Sequence, residues 1–136
     1  MIVKIDFNSE EAIYIQLRNQ IIIGIATERI QEGDSLPSVR QLADTIGVNM
    51  HTVNKAYTVL KQEGFVKLGR RKGAVIALDA DKRLAMQEVE SELRILLAKA
   101  VCKNISCGEI HTLVDEIFGE YSQHLLNNRN HYKKED

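Results

Sequence analysis

Asn49, His51, Thr52, Asn54 and Lys55 fall within one seven-residue window of a 136-residue chain, and each ends in a hydrogen-bonding group. Ranged along one face of a helix, such a set has the chemistry to read base edges. Asn pairs with adenine through two bonds, Thr donates, accepts or touches a thymine methyl, and Lys favours guanine or phosphate. Further along, Arg70, Arg71 and Lys72 form a cationic cluster suited to a phosphate backbone. For any one of these residues the plainer alternative is a solvated helix face, so the elements that position them decide the matter.

Those elements are legible around the window. Ser38 follows Pro37, the one proline, and has Gln41 three residues later, the spacing of a capping box. Val39, Leu42, Ala43 and Ile46 then predict a short amphipathic helix, and Gly47 stands where its end must reverse. Asn49 is placed to cap a third helix whose apolar positions are Val53, Ala56, Tyr57 and Leu60. With these inward, the opposite face presents His51, Thr52, Asn54, Lys55 and Thr58. Two helices joined by a tight turn make a helix-turn-helix.

Upstream, Ile13, Leu17, Ile21 and Gly24/Ile25 predict a first helix from about Glu10 to Arg29, with Ser9 as N-cap and Gly33 ending it. The alternating "IVKIDF" before it suits a short strand. Downstream, Gly64 closes the third helix, and "FVKL" and "AVIAL" flank "GRRKG" as a β-hairpin tipped by Arg70, Arg71 and Lys72. A hairpin directly after a helix-turn-helix makes a winged helix, so the candidate DNA-facing residues are Ser38, Asn49, His51, Thr52, Asn54, Lys55, Arg70, Arg71 and Lys72.

Composition is compatible with this. The net charge is only −1, but residues 1–78 carry ten Lys/Arg against eight Asp/Glu, and the remainder eight against eleven. The longest apolar run, "IIIGIA", is far short of a membrane span, and the start lacks the pattern of a secretory signal. Cys102 and Cys107, the only cysteines, read as reduced thiols of a cytosolic protein, two small buried hydrophobes. A metal or redox switch at "CKNISC" would need further ligands, and only His111 is near in sequence. The histidines fall in no H-E-x-x-H pattern, and Gly69 and Gly73 frame no nucleotide loop. The sequence implies no enzyme and no cofactor.

Residues 79–128 read as two long helices. Met86, Val89, Leu93, Leu96/Leu97 and Ala100 stripe the first. Ile110, Leu113/Val114, Ile117, Tyr121 and Leu125 stripe the second, with Ser106 and Glu109 at capping-box spacing. An antiparallel hairpin of this size buries its stripes only in part, and a second copy of the chain supplies the missing partner. Val89, Leu93, Leu96, Ile110, Leu113, Ile117 and Tyr121 are the candidate dimer contacts. Residues 129–136 form a polar tail expected to fray. The fold class is mainly α, α+β: a winged helix-turn-helix over residues 1–78 followed by a helical dimerisation hairpin.

The chain also resembles a known family. "LPSVRQLA" (36–43), "GVNMHTVNKAY" (47–57), "LKQEG" (60–64), "RRKGAVI" (70–76) and the opening "IYIQLRNQI" are similar to the DNA-binding domain of GntR-family bacterial transcription regulators. The resemblance covers roughly residues 1–78. It implies that Arg40 reaches DNA backbone or base, that Thr52 and Asn54 are recognition-helix contacts, and that Gly73 belongs to a wing tracking the minor groove. Arg71 stands where a glycine is common, and Met50 and His51 where small polar or basic residues are frequent, which bears on base preference. The short helical tail is similar to that of the YtrA-like subfamily, where it serves for dimerisation. The expected protein is a homodimeric, bacterial cytoplasmic regulator, a repressor at a palindromic double-stranded DNA operator. The alternatives are a winged-helix protein–protein module, and a regulator holding a small-molecule or metal sensor in its tail.

Overall fold

The computed structural model describes residues 3–69, 73–79 and 81–133, with backbone alone from 123 onward. It divides into two units, Met1–Asp79 and Ala80–Asp136. The first holds α1 (Ile13–Ala26), α2 (Val39–Ile46), α3 (Met50–Gln62), β1 (Val66–Gly69) and β2 (Gly73–Ile76), and the second holds α4 (Lys82–Cys102) and α5 (Cys107–Lys133). Five helices and a two-stranded antiparallel sheet make a mainly helical, winged-helix protein.

In the first unit α3 is the hub, packed against α1, α2 and β1. Its Val53, Ala56, Tyr57 and Leu60 are buried with Leu17 and Ile21 of α1, Leu42 and Ala43 of α2, and Val66, Ala74 and Ile76 of the sheet. Leu17, Ile21, Val53 and Leu60 are wholly shielded from solvent, so truncating any of them to Ala removes packing worth about 2–5 kcal/mol. The helix-turn-helix has the expected joints. Ser38 Oγ accepts from Gln41 N while Gln41 Oε1 accepts from Ser38 N, a complete capping box. Gly47 takes φ +71°, left-handed, and its N–H closes on Ala43 O; a side chain would be strained there. Asn49 caps α3.

α1 differs from expectation at both ends. Its N-cap is Ala12, which has no capping side chain, while Ser9 Oγ accepts from Glu11 N one turn earlier. It stops at Ala26, well before Gly33, because Glu28 adopts φ +60° and Ile30 folds back to donate its N–H to Gly24 O. That return works because residue 24 is glycine: a Cβ there would lie 2.7 Å from Ile30 Cδ1. Gly33 instead belongs to the following loop, which runs along β2. Gly33 N and Leu36 N donate to Ile76 O and Ala74 O, and Ile76 N donates to Asp34 O, each at 2.8 Å. The sheet thus gains a partial third strand that "QEGDSL" did not announce.

Residues 3–6 are extended but form no strand. Their backbone partners are side chains of α1: Gln20 exchanges two hydrogen bonds with the backbone of Lys4, and Gln16 exchanges two with that of Asp6. In the hairpin, β1 and β2 pair from Val66↔Ile76 to Gly69↔Gly73, while the tip, residues 70–72, lies outside the described residues.

The second unit corrects three expectations. α4 and α5 are both present, capped at Asp81 and Ser106, but among the described residues they make almost no contact with each other. The expected hairpin is open. Val89, Leu96 and Leu113 are 50%, 59% and 49% exposed. Cys102 and Cys107 are therefore exposed as well, where burial was expected, because neither helix covers the turn between them. α5 also continues to Lys133, through much of the polar segment expected to fray, since each added residue gains a bond once the first turn is nucleated.

Tyr57 links the two halves of the helix-turn-helix. Its hydroxyl donates to Pro37 O at 2.7 Å, and burial pushes its pKa from 10.0 up to about 12. A raised folded-state value means a contribution fully present below pH 10 and lost as pH rises through about 12. Tyr57→Phe is expected to cost about 1 kcal/mol in denaturant unfolding at neutral pH, and to abolish a late-titrating fraction of tyrosinate absorbance near pH 12.

Candidate nucleic-acid interface

α3 is two-faced because its residues alternate in chemistry at helical spacing. Opposite the buried Val53, Ala56, Tyr57 and Leu60, the side chains of His51, Asn54, Lys55 and Thr58 are exposed, and Thr52 is half-buried at the margin. The first turn contains no acidic residue, so the positive end of the helix dipole is left unopposed toward an anion. Arg40 is exposed on the first turn of α2. The ion pairs among the described residues, Arg18–Glu63 and Arg94–Glu90, use neither Arg40 nor Lys55. Both cations remain available to a ligand.

The residues expected to face DNA separate by what already holds them. Ser38 Oγ and Asn49 Oδ1 act as caps, the latter accepting from His51 N at 2.7 Å. They fix where α2 and α3 begin, and the Asn49 amide N–H groups remain as donors without a partner among the described residues. Thr58 folds its hydroxyl back onto Asn54 O at 2.8 Å. His51, Thr52, Asn54 and Arg40 have no side-chain hydrogen bond among the described residues. Gly73 is exposed at the start of β2 with φ +67°. Arg70, Arg71 and Lys72 lie outside the described residues.

Lys55 has a neighbour that sequence reasoning did not supply. Its ammonium stands over the ring of Tyr14, 4.2 Å from the centroid. Tyr14 is half-buried at the start of α1 and packs on the core. Nothing in the spacing of residues 14 and 55 signals this, because the approach is created by the packing of α1 on α3.

A helix-turn-helix with a bare polar face on its second helix, followed by a two-stranded wing, defines a DNA-binding winged helix of the transcription-regulator class. Residues 10–76 match the model of bacterial regulatory proteins, gntR family. The chain is 32% identical over 118 residues to the HTH-type transcriptional repressor YtrA of Bacillus subtilis, covering 85% of this chain and 91% of that one. Among solved structures, a transcriptional antiterminator from Listeria monocytogenes superposes with TM-score 0.79 at 30% identity, over 89% of this chain and 92% of that one. YtrA from Sulfolobus acidocaldarius, a GntR-family transcription factor, does so with TM-score 0.56 at 37% identity, over 87% and 97%. The chain belongs to the GntR family of transcriptional regulators, in its YtrA-like subfamily.

The double use of Asn49 is open to test. Asn49→Asp keeps the capping oxygen and should leave the unfolding midpoint nearly unchanged, while placing a negative charge against the phosphates and weakening duplex binding. Asn49→Ala should lose about 1 kcal/mol of stability. Thermal melting beside fluorescence anisotropy separates the two effects.

Proposed function

We propose that this protein is a homodimeric repressor of the bacterial cytoplasm that reads a roughly palindromic operator with α3, and that it is a binding protein with no catalytic centre. The observation that carries the reading is the face of α3. Four exposed polar side chains, Lys55 among them, back onto four buried apolar ones, and neither Lys55 nor Arg40 of α2 is in an ion pair among the described residues. In this arrangement Thr52, Asn54 and His51 discriminate bases, each good contact being worth about 1–3 kcal/mol. Arg40, Lys55 and the wing cations Arg70, Arg71 and Lys72 supply the salt-dependent affinity. Gly73 lets the wing approach the minor groove. Repression is supported by similarity to the Bacillus subtilis repressor.

Dimerisation through residues 79–128 is supported by apolar surface left uncovered among the described residues. Val89, Leu93, Leu96, Leu113 and Ile117 are exposed along α4 and α5, with Ile110 and Tyr121 half-buried among them. Monomeric proteins rarely leave contiguous apolar surface of this kind in water. Two copies would place two α3 helices on half-sites about one helical turn apart, roughly 34–36 Å.

Two measurements test the reading. Arg40→Ala should weaken binding to a duplex from the protein's own promoter region and lower the slope of log affinity against log salt by about 0.9 per half-site. Asn54→Ala should lower preference for that duplex over a random one by about 1–3 kcal/mol. Unchanged affinity and preference in both variants would refute DNA reading by this face. Separately, Leu93→Glu with Ile117→Glu should shift the sedimentation mass from two chains to one. A wild-type protein already sedimenting as a monomer would refute the dimer.

A further inference from the structure

Resting on the reading of α3 as a DNA-binding helix, we propose that Tyr14 is a positioning residue for Lys55, and that Lys55 binds the phosphate backbone beside α3 instead of a base edge. Lys55 is exposed, yet its ammonium is drawn off the helix axis onto a ring of the neighbouring helix. An α-helix with its side chains is about 10–12 Å across, and the major groove is about 12 Å wide. A side chain leaving the helix along its outward face therefore reaches the groove floor, where His51 and Asn54 are placed to go. One leaving sideways, toward α1, meets the wall of the groove, which is phosphate.

The choice of an aromatic partner fits this task. A carboxylate beside Lys55 would hold the ammonium but cancel its charge. A ring face holds it through the quadrupole and leaves charge and N–H donors free for an anion. The acidic residue nearest Tyr14 in sequence, Glu11, is engaged elsewhere, its Oε1 accepting from Asn19 Nδ2 at 3.0 Å. The Tyr14 hydroxyl makes no hydrogen bond among the described residues, so the half of the side chain with a visible partner is its ring. Without that ring, a lysine on a solvated helix face samples many rotamers, and each phosphate contact must overcome that freedom.

The test compares Tyr14→Phe, Tyr14→Leu, Lys55→Gln and the Tyr14→Leu/Lys55→Gln double variant. Anisotropy titrations use the promoter duplex and a random duplex at several salt concentrations, with a melting curve for each protein. Tyr14→Leu keeps apolar bulk on the core but removes the ring. It should weaken binding to both duplexes by the same factor, about two- to five-fold, while Tyr14→Phe binds as wild type. Lys55→Gln should weaken both duplexes equally and lower the salt slope by about 0.9 per half-site, with the double variant no weaker than Lys55→Gln alone. A changed ratio between the duplexes in Lys55→Gln, additive losses in the double variant, or a Tyr14→Phe protein as weak as Tyr14→Leu would each overturn the proposal. If Tyr14→Leu melts early, Tyr14→Phe and Lys55→Gln decide alone by the same criteria. Wild-type protein binding neither duplex would instead refute the DNA reading beneath it.

Discussion

The Tyr57 hydroxyl, carried on the buried face of α3, donates to the carbonyl of Pro37 at the threshold of α2. The bond crosses the helix-turn-helix at its open end, opposite the Gly47 turn, so the two helices are fastened at both ends of their shared interface. This matters because α3 must satisfy two demands that oppose each other. One side has to be desolvated enough to be rigid, and the other has to stay in water, unpaired, until a ligand arrives. Four wholly or nearly buried side chains and one internal hydrogen bond hold α3 from behind. His51, Thr52 and Asn54 in front then need no side-chain hydrogen bonds of their own to be placed, while Lys55 rests over the Tyr14 ring.

Much of this was legible in the sequence because it is local. The capping box at Ser38, the left-handed Gly47, the cap at Asn49 and the closure at Gly64 each depend on residues within a few positions. The hairpin strands are short alternating runs around glycines. What could not be read is made by distant segments meeting. The return of Ile30 onto Gly24, the backbone pairing of residues 33–36 with β2, and the Tyr14 ring under Lys55 each join positions whose types carry no mark of the partner. Ser9 and Gly33 illustrate the opposite error. Both have the chemistry of helix punctuation, but they serve the adjoining turns: Ser9 Oγ accepts from Glu11 N before α1 begins, and the return of Ile30 onto Gly24 ends α1 well before Gly33.

The tail teaches a related lesson. The periodicity of α4 and α5 says that each apolar stripe must be covered, but it does not say by what. Two stripes in one chain suggested that they meet. Among the described residues they barely do, and most of their side chains stand in solvent. Ser106 and its partner Glu109 start α5 afresh after the turn, which lets the second helix choose a direction independent of the first.

The extended residues before α1 show how a helix can take the place of a sheet edge. A glutamine amide carries N–H donors and a carbonyl acceptor on one planar group, so it can pair with a peptide unit as another peptide unit would; the second Gln16 N–H is left to donate to Glu11 O. Gln16 and Gln20 lie four residues apart on α1, a rise of about 6 Å, and their backbone partners Lys4 and Asp6 lie two residues apart in an extended chain, about 6.6 Å. The two repeats are nearly commensurate, so α1 acts as a ruler for the segment laid across it. Since both partners are main chain, the identity of the side chain at position 4 is irrelevant to the fastening. The spacing is what counts: losing one residue between Lys4 and Asp6 would throw the second rung out of step with the first.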